Sequence, residues 1–383
     1  MSTLPAEKIL CITNDFGPRA GGIETFVIGL IERMPTNSVI VYTSAQGDTQ
    51  DYDRNWSDKF GVEVIRDRSK ILLPTFRVAR AVNKLVKNRK IEKAFFGAAA
   101  PLGIMARGLR RNGVKKIVAL THGHEVWWAK LWPFSAAIKF IGNNVDHLTY
   151  LGEFTKSEIS KALNGKATDA MRKVAPGIDT EHFAPNPESA QLRKELGLSE
   201  KQVIVSVGRL VHRKGQDFLI KALPEILKVH PNAHVLMVGE GPYREHLQKL
   251  TFDLDVANSI TFIGRIQYKE LPRFICVGDI FAMPSRSRLA GLEVEGLGIV
   301  YLEASSCGLP VIAGKSGGAP DAVHEGVTGF AVDGTSVKDI SQAINNLLAD
   351  PAKARAMGEA GRKWIYENWR WDIWAKEFNS LFR

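Results

Sequence analysis

The chain has 383 residues, 45% of them hydrophobic and 24% charged, with a formal net charge of +10. Its length points to two domains of about 150–200 residues each, in the composition range of soluble globular proteins. No run approaches the roughly 18 apolar residues of a membrane-spanning helix, and the first residues lack the charged-then-apolar pattern of a signal peptide. The three cysteines, Cys11, Cys276 and Cys307, are odd in number and widely spaced. That excludes a disulfide framework or a zinc site and points to reduced thiols. The charge divides unevenly: residues 1–180 hold 27 Lys/Arg against 17 Asp/Glu, and residues 181–383 hold 24 of each. Any surface that attracts anions beyond ordinary solubility is therefore expected in the first half.

In chain order, Ile9–Thr13 is a short, uniformly apolar run, as for a strand buried on both faces of a parallel sheet. The glycine-rich loop Phe16–Glu24 follows, then a helix to about Met34. Further strands are expected at Ser38–Thr43, Val62–Ile65, Lys93–Phe96, Lys116–Leu120 and His147–Tyr150, most of them separated by helical segments. Pro176, Gly177, Pro185 and Pro187 interrupt the pattern. The βαβ rhythm then restarts with Val203–Val207, the helix Asp217–His230, His234–Val238, the helix Arg244–Lys249, and strands at Ile260–Ile263, Ile280–Met283, Pro310–Ala313 and Gly329–Val332. The segment from about Pro351 to Arg383 is helical and aromatic. The rhythm predicts an α/β protein of two Rossmann-like domains, residues 1–180 and 181–365, with ligands at the carboxyl ends of the strands in an interdomain cleft. Residues 366–383 are expected to form a docking helix that packs on the first domain.

Four constellations fall in loops after strands. Gly21-Gly22 lets a backbone approach a phosphate just before a helix N-terminus, although alone it is equally a plain turn. Its spacing is not the GxGxxG of dinucleotide folds. Val207-Gly208-Arg209-Leu210, running to Arg213-Lys214-Gly215, brings Arg209 and Lys214 into one loop, as suits a diphosphate leaving group; a solvated basic loop is the alternative. Glu295 lies in a glycine-bearing loop and Glu303 follows in a short apolar helix; carboxylates are good acceptors for paired sugar hydroxyls. Thr121-His122-Gly123-His124-Glu125 places polar groups after a strand, and no further His/Cys/Asp cluster accompanies them as a metal site would require.

Taken with Pro176-Gly177-Ile178-Asp179, Val238-Gly239-Glu240-Gly241-Pro242, Gly308-Leu309-Pro310-Val311-Ile312 and Gly317-Gly318-Ala319-Pro320, these motifs resemble those of the retaining GT-B glycosyltransferases of glycosyltransferase family 4 over nearly the whole chain. The resemblance implies that Arg209 and Lys214 hold the donor diphosphate, Glu295 the transferred sugar and Glu303 the ribose. It also implies that Gly22, beside Gly21, faces the β-phosphate and that His122 sits by the anomeric centre. Arg265 and Ile266 would meet the base. Gly208, Gly239 and the amides of Gly298, Ile299 and Val300 would line the phosphates. Many members carry an aromatic residue where this chain has Leu297.

By the same resemblance the donor is GDP-mannose, the acceptor an anionic phosphoinositol lipid already bearing one mannose, and the transfer front-face and metal-independent. No Asp-x-Asp motif is present, in keeping with protein cations in place of a metal. A UDP-sugar with a soluble acceptor, or a non-catalytic nucleotide-binding protein at a membrane surface, are the alternatives.

The basic first half has a candidate purpose. Arg66–Lys93 contains ten Lys/Arg and two acids. Arg77, Arg80, Lys84 and Lys87 recur at helical spacing beside Val78, Val82, Leu85 and Val86. Trp127, Trp128, Leu131, Trp132, Pro133 and Phe134 form an apolar cluster. Both suit an anionic membrane surface; a solvated helix face and an aromatic core are the alternatives. A cytoplasmic protein, peripheral at the inner face of the plasma membrane, is expected. Nucleic acid is not expected as a partner, since no binding motif accompanies the charge.

Overall fold

The structure, a computed structural model, describes residues 7–18 and 21–383. Arg19 and Ala20, in the first glycine-rich loop, lie outside the described residues. The chain divides into two compact units, Met1–Gly177 with Trp371–Arg383, and Ile178–Arg370.

The first unit holds β1 (Ile9–Thr13), β2 (Val39–Thr43), β3 (Glu63–Arg66), β4 (Lys93–Phe96), β5 (Lys116–Ala119), β6 (His147–Tyr150) and β7 (Met171–Lys173). They form one sheet in the order β3-β2-β1-β4-β5-β6-β7, and every pairing in it is parallel. β1 and β2 are buried at every residue, which is why they read as continuous apolar runs rather than alternating ones. The order reverses between β1 and β4, so the loops after these strands open at a topological switch point.

The second unit holds β8 (Gln202–Val207), β9 (Ala233–Val238), β10 (Ile260–Gly264), β11 (Ile280–Met283), β12 (Val311–Gly314) and β13 (Gly329–Val332). Their order is β10-β9-β8-β11-β12-β13, again with every pairing parallel. Here the switch point lies between β8 and β11. Each unit has its own apolar core, the first built on Leu10, Phe96 and Ile117, the second on Ile204, Val235 and Ile280.

The aromatic C-terminal stretch is two helices, Pro351–Asn368 and Trp371–Ser380. The second packs on the first unit. Gly29 makes room for the Trp371 ring, which lies 2.3 Å from where a Cβ would be. Arg33 sits over the same ring at 4.6 Å, and Phe378 meets Phe95 edge-on at 5.2 Å. Ring burial is what holds this helix.

The basic helix is Phe76–Arg89, capped by the Thr75 hydroxyl, which accepts from the Val78 N–H at 3.3 Å. Val78, Val82 and Val86 are buried in the core of the first unit. Burying each is worth about 1.5–3 kcal/mol, so the apolar stripe of this helix belongs to the fold and is not free to meet lipid. Trp127, Trp128 and Phe134 pack against one another with centroids 4.9–5.6 Å apart, and Trp128 also reaches the core. What stays outside is a different set. Arg80, Lys84 and Lys87 are exposed and carry no ion pair among the described residues, whereas Arg77 is tied to Asp67 at 2.6 Å. Phe76 is 84% exposed and Trp132 83%, with Ile71, Leu73 and Leu131 also exposed.

Candidate functional site

The charged chemistry of the second unit gathers where β8, β11 and the Glu303 helix (Ile299–Ser306) meet. After β8 the chain passes Gly208 and forms a single 3-10 turn, His212–Lys214, before the helix Gln216–Val229. That turn points Lys214 at Glu295, with Nζ 2.7 Å from Oε2. Arg213 donates to the same oxygen at 2.8 Å. Burial pushes the Glu295 carboxyl up, but Lys214 and Arg213 together outweigh it and hold the group below its ordinary range. Glu295 is thus an ionised, buried carboxylate with two cations on one oxygen.

Glu303 differs. It is buried, and among the described residues its carboxylate has no hydrogen-bond or ion-pair partner. Burial lifts its pKa to about 7, against the pull of Lys214. An acceptor without a donor, at the edge of a charged cluster, is fitted for hydroxyl groups supplied by a ligand.

The Glu295 loop is clasped from behind. Gly318 N–H donates to the Glu295 carbonyl at 2.8 Å. Gly317 has φ +54, and a Cβ there would stand 2.3 Å from the same oxygen. These glycines serve close backbone packing that fixes where Glu295 points. Leu297 is buried. Gly298, at φ +80, opens the Glu303 helix, whose first-turn N–H groups, from Ile299 and Val300, lack intrahelical partners by geometry. Gly239 packs against Gly208, its missing Cβ 2.0 Å from the Gly208 carbonyl. Arg265 is exposed and Ile266 half-buried in the loop after β10.

Of the cations read from the sequence, only Lys214 joins this cluster directly. Arg209 is exposed, and among the described residues its guanidinium carries no ion pair. Arg213, its neighbour in the same loop, takes the place beside Glu295. Arg286, after β11, was not singled out by spacing. It is buried and makes two hydrogen bonds to Asp217, at 2.7 and 3.0 Å. The signal available was positional, a Ser-Arg-Ser-Arg loop directly after a buried strand.

In the first unit the polar groups lie at the ends of β1, β4 and β5. His122 is buried, its Nε2 2.7 Å from the Gly97 carbonyl after β4. Since a carbonyl only accepts, Nε2 carries the hydrogen and Nδ1 the lone pair. Burial, with the His124 ring nearby, depresses the pKa, although Glu125 opposes this, so His122 is neutral at pH 7. Glu125 accepts from the His122 backbone N–H at 2.7 Å, and its other oxygen lies 3.2 Å from His124 Nε2. Gly21 is the extended residue before the helix Gly22–Ile31. Nothing lies within 4 Å of a Cβ placed on Gly22, so no packing contact demands a glycine there and the backbone is open to approach.

Parallel sheets of this kind, two to a chain and with their charged groups at the strand ends, are the GT-B glycosyltransferase architecture. The chain belongs to glycosyltransferase family 4: the profile "Glycosyltransferase Family 4" matches residues 20–182 and "Glycosyl transferases group 1" residues 188–364. It is 45% identical over 365 residues, covering 95% of each chain, to a GDP-mannose-dependent alpha-(1-6)-phosphatidylinositol monomannoside mannosyltransferase of Mycolicibacterium smegmatis. It is 39% identical over 383 residues to a GDP-mannose-dependent monoacylated alpha-(1-6)-phosphatidylinositol monomannoside mannosyltransferase of Corynebacterium glutamicum, covering 99% of this chain and 98% of that one. Among solved structures, HepE of Anabaena in complex with UDP superposes with a TM-score of 0.81 at 19% identity, covering 97% of this chain and 98% of that one.

Proposed function

We propose that this enzyme transfers a mannosyl group from GDP-mannose to a phosphatidylinositol monomannoside, with retention of configuration, giving the dimannoside. The observation that carries this is the similarity to such mannosyltransferases at 45% identity through both units, leaving neither the donor nor the acceptor half unaccounted for.

In this reading Lys214, Arg213 and the exposed Arg209 receive the donor diphosphate. The bond from C1 of mannose to the diphosphate oxygen breaks, and the acceptor hydroxyl oxygen bonds C1 from the same face. The acceptor's proton passes to the departing oxygen, and GDP leaves. Charge grows on that oxygen as the bond breaks, and fixed cations in a partly buried site stabilise it without reorganising. Glu295 accepts from sugar hydroxyls while sharing its charge with Lys214, and Glu303 accepts from the ribose. The open amides at Gly22 suit a phosphate. His122, neutral and oriented through Gly97, presents Nδ1 as an acceptor beside the sugar. Arg265 and Ile266 are assigned to the base, and the amides of Gly298, Ile299 and Val300, with Gly208 and Gly239 behind them, to the phosphates. None of these roles requires a metal ion.

For the acceptor side, the reading places an anionic membrane surface against the first unit through Arg80, Lys84 and Lys87, with Phe76 and Trp132 entering the headgroup boundary. The reading is of peripheral attachment at the inner face of the plasma membrane; no helix among the described residues is long and apolar enough to cross a membrane.

The test is the mass and linkage of the product formed from GDP-mannose and a purified monomannosylated phosphatidylinositol, with GDP and UDP titrated in parallel. Tight UDP binding without GDP binding would overturn the donor, and donor consumption without a lipid-bound hexose would overturn the acceptor.

A further inference from the structure

We propose that Arg286 and Asp217, outside the groups assigned to substrate, are positioning residues that aim Lys214 and Arg213 at the diphosphate. The inference rests on the reading of that basic loop as the diphosphate site.

The turn His212–Lys214 is only three residues long. Lys214 N–H donates back to the Val211 carbonyl at 3.0 Å, and a turn that short does not hold two long cationic side chains in register. Its rigidity comes from the segment after β11. The Arg286 backbone N–H donates to the Arg213 carbonyl at 2.8 Å. The Arg286 guanidinium donates to His212 Nδ1 at 2.6 Å and to both oxygens of Asp217. One side chain thus ties residues 212 and 217, on either side of Lys214, while its own backbone ties 213.

Gly215 brings the two segments together. It has φ +76, and a Cβ there would fall 1.8 Å from the Pro284 carbonyl oxygen, so the loop lies directly on the Pro284–Arg286 backbone. That backbone is anchored in turn by the Tyr301 hydroxyl, 2.8 Å from the Met283 carbonyl and 2.9 Å from Ser285 Oγ. Tyr301 is on the helix that carries Glu303. A continuous set of contacts therefore runs from the Glu303 helix through Pro284–Arg286 to the turn that presents Lys214.

The Arg286–Asp217 pair is 7% and 4% exposed by side chain. A buried ion pair is weak evidence for stability, because desolvation offsets its attraction. Its geometric content is greater: a planar guanidinium gripping a carboxylate with two hydrogen bonds fixes direction as well as distance. That is the property a site for a developing charge needs, where a misplacement of about 1 Å costs on the order of a hundredfold in rate.

The experiment compares wild type, R286K, K214A and R286K/K214A in the full chain. It measures GDP and UDP affinity by titration, kcat and KM with GDP-mannose, and the thermal midpoint. R286K keeps the charge and loses the fork. The expected result is diphosphate affinity about tenfold lower and kcat about a hundredfold lower, with KM for the acceptor lipid unchanged. On the K214A background the same change should cost clearly less than in wild type, because the share of its effect that passes through Lys214 is already gone and only the share through Arg213 remains.

R286K equal to wild type in diphosphate affinity and kcat, or losses that multiply in the double variant, would overturn the proposal. Should R286K not fold, H212A and H212N decide. H212A removes one tie without stranding a buried charge and should lower kcat, and H212N, whose amide oxygen can replace Nδ1 as acceptor, should restore it. Equal rates in those two variants would overturn the proposal. A wild type that binds UDP in place of GDP overturns the donor assignment alone, because the affinity comparison is then read on UDP.

Discussion

Lys214 Nζ lies 2.7 Å from Glu295 Oε2, and the two side chains are 11% and 10% exposed. With Arg213 on the same oxygen, two cations converge on one carboxylate oxygen, while Glu293 stands farther from Arg213, at 3.8 Å; a donor diphosphate would compete with these carboxylates for the cations. The two partners should therefore fail differently. K214A should lower both GDP affinity and kcat, the latter by about 100–1000-fold, the scale for removing one donor to a developing oxyanion. E295A removes a competitor for the cations together with an acceptor for the sugar. GDP should then bind at least as tightly as to wild type, while transfer falls by a similar factor. Titration with GDP beside steady-state kinetics checks this, and E295A with weakened GDP binding and unchanged kcat would contradict the division of roles.

Glu303 gives a pH signature of opposite sign to that of Glu295. Its native pKa of about 7 stands above the ordinary value of 4.5, so between about pH 5 and 7 the native state holds a proton that the unfolded chain has released. Stability conferred by the protonated group is then lost as pH rises through that window. Glu303→Gln lacks this slope, and its stability advantage over wild type should grow by on the order of 3 kcal/mol from pH 5 to pH 8. Glu295, held below its ordinary range, contributes stability that is present above pH 4.5 and lost only as the pH falls further, so the two windows separate. Nucleotide binding should release a proton near pH 7 as ribose hydroxyls engage the Glu303 carboxylate. Calorimetry in buffers of differing ionisation enthalpy reads that release, which should vanish in E303Q.

What the sequence made legible follows from which physical constraints are local. Strands such as Ile9–Thr13 and Ile280–Met283 are buried on both faces, and a parallel sheet demands an unbroken apolar run that any reader can find. Met171–Lys173 has no such run, and its central Arg172 is exposed, so this short edge strand left no pattern. Periodicity showed that Phe76–Arg89 has an apolar stripe and a basic one, but not that the unit's own core would cover the valines. In the loop after β8 spacing marked a basic cluster, and the choice between Arg209 and Arg213 as the partner of Glu295 was made by a 3-10 turn that spacing does not encode. Arg286 and Asp217 are 69 residues apart. Their pairing follows from the neighbouring positions of β8 and β11 in the sheet, a long-range fact with no local trace.

Gly317 offers a way to move Glu295 without touching its charge. Gly317 has φ +54, and a Cβ there would meet the Glu295 carbonyl at 2.3 Å and the Val294 side chain at 2.8 Å. G317A should destabilise the second unit by roughly 1–3 kcal/mol through left-handed strain and the clash. It should also lower kcat more than that loss of folded protein explains, because the Glu295 loop must shift. Activity per folded molecule, measured well below the thermal midpoint, separates the two effects. Full specific activity in the folded fraction would show that the clasp does not set the carboxylate's position.

The membrane prediction separates charge from apolar insertion, which the first unit presents on different residues. Arg80, Lys84 and Lys87 are exposed, and each would contribute about 1 kcal/mol near an anionic surface, so replacing all three with alanine should weaken binding to anionic vesicles roughly a hundredfold. That loss should shrink at high salt, where screening already removes most of the attraction. Phe76 and Trp132, at 84% and 83% exposure, would act through burial instead. F76S/W132S should weaken binding to anionic and neutral vesicles alike, with little dependence on salt. Since Val78, Val82 and Val86 face the core, neither set of substitutions removes a buried group, and the thermal midpoint should stay within a few degrees of wild type. Co-sedimentation across lipid charge and ionic strength tests both parts. Binding by wild type that is indifferent to lipid charge would remove the basic face from the mechanism and leave attachment to the two aromatic residues.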